Sequence, residues 1–356
     1  MTRKERLRRA LWRQPIDRLP TQVNYTPAMG RKLAAHWGIS LADLPARLDN
    51  HLLRVDLSSP RRTRADGKVE YDWWGAGWST ETEGYWLVEA PLANNTALDA
   101  FPWPDPDAPG LLDDAARAIA ADAAAADGGQ HFIVPNFGFC LFERAWSLRG
   151  YEQFNLDLAL APDFVAELLD RITTIQVALA RRFVALGVDG GYFGDDYGAQ
   201  KGLLFSPRVW RTLIKPRLAQ MFAVFRDAGL PVILHSDGDI AEILPDLVEI
   251  GLTTLNPVQP EVMDHAWLQR AFGQAPVGEG GLAFYGGVST QTVLPHGTPA
   301  QVTEAVTACA RTLAPTGSGL MLAPSHRLTA DIPVANVEAF LAASASLSLG
   351  MSTSLC

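Results

Sequence analysis

Apolar positions along the chain fall into two kinds of run. Some are short and rich in β-branched and aromatic residues; others are longer, with apolar residues recurring at helical spacing. The first kind predicts strands at Leu19–Thr26, Leu52–Ser58, His131–Phe137, Gly191–Gly194, Pro231–His235, Thr253–Pro257, Leu282–Gly286 and Gly319–Ala323. The second predicts helices at Ala28–Trp37, Ala115–Ala126, Pro162–Leu186, Pro207–Ala228, Ile240–Ile250, Pro299–Leu313 and Val334–Leu347. Ser206 ahead of Pro207 is a helix start, and the paired glycines of ADGGQ are a stop. Residues 3–13 read as a basic amphipathic helix, either a solvated surface helix or an electrostatic docking arm. One stretch breaks the rhythm. Residues from about 60 to 110 are rich in Trp, Gly and Pro and end in the turn-rich FPWPDPDAPG, which predicts an inserted hairpin and loop.

Strands that each lead into a helix or a long loop predict parallel pairing through crossovers. No GxGxxG turn follows any strand, so a closed (β/α)8 TIM barrel accounts for the pattern better than an open doubly wound sheet. The expected organisation is one barrel domain over 1–356 with the insertion in its N-terminal half, and no internal repeat is visible.

Composition narrows the function. With 30 basic and 39 acidic residues the net charge is −9, which repels phosphate backbones and anionic membranes. Cys140, Cys309 and Cys356 show no CxxC spacing, so neither a disulfide framework nor a thiolate zinc knuckle is implied. The basic N-terminus lacks an apolar signal core, and a cytoplasmic location is expected.

In such a barrel the chemistry sits on the loops after the strands. Polar groups follow nearly every apolar run: Asn24 and Tyr25, Asp56, Glu143, then Asp195, Asp196 and Tyr197 in YFGDDYG, His235 and Asp237 in LHSDG, Asn256 and Gln259 in LNPVQP, Ser289, Ser325 and His326. His235 and Asp237 stand two apart at a strand end, so both side chains point the same way and one imidazole and one carboxylate can meet the same atom. Zinc accepts both donor types and a catalytic site needs a third ligand, for which His326 is the candidate. A plain hydrogen-bonded His235–Asp237 pair holding the loop is the alternative. Asp195 and Asp196 are adjacent at a strand end, so one faces the mouth while the other anchors a loop; the first serves either general acid–base work, if burial near another acid raises its proton affinity, or hydrogen bonding to substrate, with a purely structural role for the pair as the third reading. Glu143 is either a site acid or half of a helix-surface pair with Arg144. Trp73, Trp74 and Trp78 share one loop and either line a planar ligand or pack that loop on the barrel.

Several ordered blocks carry a family resemblance: RALWRQPIDRLP, LDAFPWPDPDAPG, FERAWSLRGYEQF, GDDYGAQKGLLFSPRVWRTLIKPR, HSDGDIAEILPDLVEIGLTTLNPVQP and LAPSHRLTADIPVANVEAF. Over nearly its full length the chain resembles the uroporphyrinogen decarboxylase superfamily, in particular its cobalamin-linked methyltransferase branch. The resemblance implies an eight-stranded (β/α) barrel. True decarboxylases carry an RQAGRYLPEY motif whose arginines receive the porphyrinogen carboxylates; here the region reads NYTPAMGRKL, without paired arginines. The thiol-activating methyltransferases carry His-x-Cys and a later Cys as zinc ligands. In this chain Asp237 and His326 stand in those cysteine positions. Harder donors leave a metal more electrophilic, which suits polarising an ether or hydroxyl oxygen rather than a thiolate and argues against coenzyme M as acceptor.

The expected activity is therefore methyl transfer from a small methylated compound, a methoxylated aromatic or a methylamine, to the corrinoid of a separate protein. In this reading Asp195, Asp196, Asp237 and Glu143 are catalytic. Asn24, Tyr25, Tyr197, Asn256 and Gln259 bind substrate, and His235, Asp237 and His326 hold zinc. The cofactors are that zinc and cobalamin on a corrinoid partner; a homodimer is the candidate assembly. The rival reading is a metal-independent carboxy-lyase acting on a carboxylated ring, with Asp237 or Asp56 stabilising a protonated intermediate; a non-enzymatic binder is the third.

Overall fold

The structure is a computed structural model that describes residues 1–59, 61–124 and 130–347. Cys356 and the ADGG turn predicted to end the Ala115–Ala126 helix lie outside the described residues. Seven parallel strands form one curled sheet: β1 (Leu52–Val55), β2 (Phe132–Gly138), β3 (Gly191–Gly194), β4 (Val232–His235), β5 (Thr254–Asn256), β6 (Ala283–Val288) and β7 (Leu320–Pro324), each hydrogen-bonded to the next in chain order. Helices on the outside connect them, as in a TIM barrel.

The predicted Leu19–Thr26 strand closes this sheet without being a regular strand. Thr21 bridges in parallel to Asn50, just before β1, and to Leu322 in β7, and Tyr25 bridges to Leu328. Side chains take the place of ladder bonds on the β1 side. Gln22 Oε1 accepts from the backbone of His51 (3.2 Å) and Leu52 (3.0 Å), while the Asn50 amide pairs with both backbone groups of Val23. Pro20, with no N–H to give, begins this seam.

The barrel interior is a packed layer of Leu52, Phe132, Val134, Tyr192, Ile233, Ala283, Tyr285, Met321 and Ala323. Leu7 and Leu11 of the helix Arg3–Leu11 join that layer. The basic N-terminal helix is thus neither a free arm nor a simple surface helix. Its apolar stripe stops the barrel at the end opposite the strand C-termini, and its arginines form ion pairs: the buried Arg6 with Asp17 (2.6 Å) and Arg9 with Glu5 (2.6 Å).

Other departures have local causes. The Pro207–Ala228 helix is split into Pro207–Val209, a π-turn at Trp210–Ile214 and Lys215–Arg226, because Pro216 has no N–H for a continuous α-ladder. Ser206 caps it as expected, accepting from the Arg208 N–H at 3.2 Å. Two helices absent from the sequence reading, Phe142–Arg149 and Tyr151–Leu160, follow β2. The insertion is a four-stranded antiparallel sheet, Arg62–Thr63, Val69–Tyr71, Gly77–Ser79 and Leu87–Glu89, rather than one hairpin. It is tied to the barrel by the ion pair of Asp72 with Arg144 (2.6 Å). No described helix is long and apolar enough to cross a membrane.

Candidate active site

The C-terminal ends of β3, β4, β5 and the loop after β7 bring the sequence-predicted acids and imidazoles to one mouth. The LHSDG and GDDYG loops lie backbone against backbone. A Cβ on Gly198 would stand 2.7 Å from the Asp237 carbonyl oxygen, and one on Gly238, at φ +81°, would stand 2.4 Å from the Gly198 carbonyl carbon. Only glycine permits this approach. The close loops let Asp196 Oδ1 accept the Asp237 backbone N–H at 2.8 Å, which fixes the carboxylate loop around Asp237.

His235, Asp237 and His326 offer donor atoms that all lie within 4.8 Å of one another. Each imidazole Nε2 stands 3.7 Å from a different oxygen of Asp237, and the two rings are 5.9 Å apart at 48°. A tetrahedral metal with bonds of about 2.0–2.2 Å sets neighbouring donors about 3.3–3.6 Å apart, so the trio fits a zinc-sized ion with small side-chain adjustments. Behind it, His235 Nδ1 lies 2.8 Å from Asn256 Oδ1, which also accepts the Tyr192 hydroxyl at 3.1 Å. Asn256 Nδ2 donates to the Tyr285 carbonyl at 3.1 Å, which fixes the amide orientation. Partial desolvation, and with it the charges of His235, Arg327 and Arg54, lowers the basicity of His326, which favours the neutral ring.

The adjacent aspartates divide their work. Asp195 is fully buried; its oxygens accept the backbone N–H groups of Phe142 (2.8 Å) and Glu143 (2.7 Å) and the Tyr197 hydroxyl (2.7 Å). It satisfies the first amides of the Phe142–Arg149 helix. Burial still pushes its carboxyl up to about 6. Asp195 and Tyr197, expected at the catalytic and substrate positions, thus form a buried brace below the mouth. Asp196 is the partner that faces the cluster, beside His235 and Asp237, with its proton affinity raised by burial. Glu143 lies against Asp196. Burial first, then the charges of Asp196 and Asp195, hold its carboxyl well above the usual range, which favours its protonated form. Arg144 pairs with Asp72 and not with Glu143.

The remaining predicted residues are spread around this cluster. Asn256 sits behind His235. Asn24 donates to the Tyr285 hydroxyl at 3.1 Å, at the edge of the interior layer. Tyr25 packs its ring against Gly30. Gln259 is buried, and its amide nitrogen has no partner among the described residues. Asp56 accepts the Asn136 amide at 2.8 Å.

Beside the cluster, a cavity of about 410 Å³ opens between the inserted sheet and the barrel, lined in part by Trp73, Trp78, Tyr85, Phe139, Asp56 and Asn136. The histidines do not line it. Tyr85 of its lining lies 5.2 Å from the guanidinium carbon of Arg327, the residue after His326. Sequence reasoning missed Arg54, whose guanidinium stands 5.0 Å from the Tyr192 ring centre. Its signal was present: Arg54 and Asp56 share one face of a strand otherwise apolar, two apart.

The family described as Uroporphyrinogen decarboxylase (URO-D) matches residues 89–347. No curated protein matches the chain. Among solved structures, a methyltransferase from Methanosarcina mazei superposes with a TM-score of 0.70 at 20% identity, over 97% of this chain and 98% of that one. A B12-independent methionine synthase from Shewanella sp. W3-18-1 covers 51% of this chain and 53% of its own, with 12% identity and a TM-score of 0.37, too slight a likeness to align sites. The first likeness is one of fold, in agreement with the barrel, and the family match spans most of the chain: it belongs to the uroporphyrinogen decarboxylase family.

Proposed function

We propose that this protein is a methyltransferase that takes a methyl group from a small methylated substrate, most simply a methoxylated aromatic, and delivers it to the cobalt of a corrinoid carried by a separate protein. The observation that carries this reading is the His235, Asp237 and His326 cluster, with three donors within 4.8 Å and one imidazole tautomer fixed from behind by Asn256. These residues would hold zinc, which when bound supplies Lewis acidity toward an ether or hydroxyl oxygen. The adjoining aromatic-lined cavity has the size and lining for a single substituted ring.

The chemistry asked of the chain is protonation. In the transfer the nucleophilic cob(I)alamin forms a bond to the methyl carbon, the carbon–oxygen bond breaks, and its electron pair stays on oxygen. An aryloxide leaves poorly without a proton. Glu143, protonated through burial and the neighbouring acids, supplies one by way of Asp196. Asp237 would supply the anionic donor between the two imidazoles. The corrinoid reaches the mouth from outside, so the site is open on its solvent side: Asp237 is partly exposed there and His326 more so.

The test mixes the purified protein with cob(I)alamin, or with a corrinoid protein, and a panel of methoxylated aromatics and methylamines. Formation of methylcob(III)alamin, seen in the visible spectrum, is expected, together with its loss in Asp237→Ala. If no donor in the panel yields methylcobalamin while anaerobic uroporphyrinogen becomes coproporphyrinogen, the carboxy-lyase reading replaces this one.

A further inference from the structure

Arg54 is a half-buried cation in the barrel interior, and its guanidinium has no hydrogen bond or ion pair among the described residues. Its surroundings are the ring of Tyr192 at 5.0 Å, with Tyr285, Asp56 and Tyr85 farther out. Asp56 makes no ion pair with it: that carboxylate is exposed and turned to Asn136 at 2.8 Å, so it acts on Arg54 only from a distance. The Tyr192 ring and the nearby acids keep the cation charged, but they leave its N–H donors without a partner among the described residues, and a guanidinium fork is the side chain best shaped to take a carboxylate with two parallel hydrogen bonds.

The position of Arg54 relative to the histidines gives it a purpose. Its guanidinium lies over Tyr192, the Tyr192 hydroxyl meets Asn256 Oδ1 at 3.1 Å, and that same oxygen meets His235 at 2.8 Å. One tyrosine and one amide therefore separate the unpaired cation from the imidazole cluster. The Arg54 charge also bears on His326, so the cation and the cluster share one neighbourhood at the strand ends.

Resting on the methyl-transfer reading, we propose that Arg54 binds a carboxylate on the substrate, which makes the substrate class a methoxylated aromatic monoacid rather than a neutral ether or an amine. Arg54 is then a specificity-determining residue: it selects for one negative charge at the end of the ring opposite the methoxy group.

Calorimetric titration compares 4-methoxybenzoate with its neutral isostere 4-methoxybenzamide, in protein as purified and after chelator treatment. The acid should bind about tenfold to a hundredfold more tightly than the amide, the range of a charge-assisted bidentate pair. Arg54→Gln should bring the two together, with amide affinity unchanged. Arg54→Lys, which keeps the charge but not the fork, should retain only part of the preference, and it carries the test alone if Arg54→Gln does not fold. Equal affinities in the unaltered protein, or an undiminished preference in either variant, overturn the assignment. So does a preference that vanishes with the chelator yet survives Arg54→Gln, since the carboxylate then sits on the metal. Binding is read apart from turnover. Methylcobalamin formed equally well from neutral ethers leaves the methyl-transfer reading standing and removes this one. Arg54-dependent acid binding without any methyl transfer does the reverse.

Discussion

Asn256 Oδ1 lies 2.8 Å from His235 Nδ1, and this one contact decides which nitrogen His235 turns toward Asp237. The amide oxygen can only accept, and it already accepts the Tyr192 hydroxyl, so Nδ1 must carry the proton and Nε2 the lone pair. A histidine fixed this way is pre-set as a metal ligand.

Replacing Asn256 with Leu removes that acceptor and frees the ring. Zinc affinity, measured by chelator competition, should fall about 10- to 100-fold, the usual effect of losing a histidine's outer hydrogen-bond partner. Asn256→Asp keeps an acceptor at the same place and should retain most of the affinity. Equal affinities for all three proteins would mean that the tautomer is set elsewhere.

Asp195 and Asp196 are neighbours with separable effects. Asp195→Ala strips two helix amides and the Tyr197 hydroxyl of their buried acceptor. It should cost about 2–4 kcal/mol in urea unfolding. Asp196→Asn keeps an acceptor for the Asp237 N–H, so its stability should stay within about 0.5 kcal/mol while turnover drops. The opposite pattern would place Asp195, not Asp196, at the mouth.

Much of this was legible from residues alone, for stated reasons. The barrel strands are buried on both faces and read as continuous apolar runs, so β2 to β7 lie close to where the pattern put them. The His235–Asp237 pair was visible because two-residue spacing at a strand end has one geometric meaning. The Leu19–Thr26 segment misled, because the amide side chains of its Gln22 and of Asn50 across the seam make backbone bonds that no periodicity encodes. The Phe142–Arg149 helix was hidden for a related reason: its start is capped by Asp195, more than fifty positions away in sequence, and not by a residue before it. Arg54 escaped notice because a lone charge in an apolar strand looks like an edge residue until the topology places it inside.

His51 ties the barrel seam to pH. It is fully buried, its Nε2 meets Arg6 Nη1 at 3.1 Å, and its Nδ1 meets the Asp49 carbonyl at 2.8 Å. Arginine can only donate, so the ring is neutral, with its proton on Nδ1. Burial pushes its pKa down to about 4. Above about 6.5, folded and unfolded chains both hold it neutral. Below that the unfolded chain takes up the proton and the folded one does not until about pH 4, so stability is lost as pH falls across this window. The loss is on the order of 3 kcal/mol at most. Urea midpoints should drop between pH 7 and pH 5 and drop less in His51→Gln. A variant with the same acid slope as the unaltered protein contradicts the assignment.

Glu143→Gln tests the proton source directly. Burial and two neighbouring carboxylates oppose ionisation of the unaltered side chain and raise its proton affinity. Its acid form is the active one, so the transfer rate should hold at low pH and fall as pH rises through its raised pKa. The amide cannot supply the proton, and this limb of the profile should vanish in the variant. The size of the defect should depend on the leaving group. Methyl ethers of weakly acidic phenols need protonation and should slow by about 10²- to 10⁴-fold, whereas an ether of a nitrophenol, whose oxygen leaves as the anion, should be nearly unaffected. The dependence of rate on phenol acidity should therefore be steeper in Glu143→Gln than in the unaltered protein. If the two dependences run parallel, Glu143 does not deliver the proton, and Asp196, the other raised carboxyl facing the cluster, is the group to replace next.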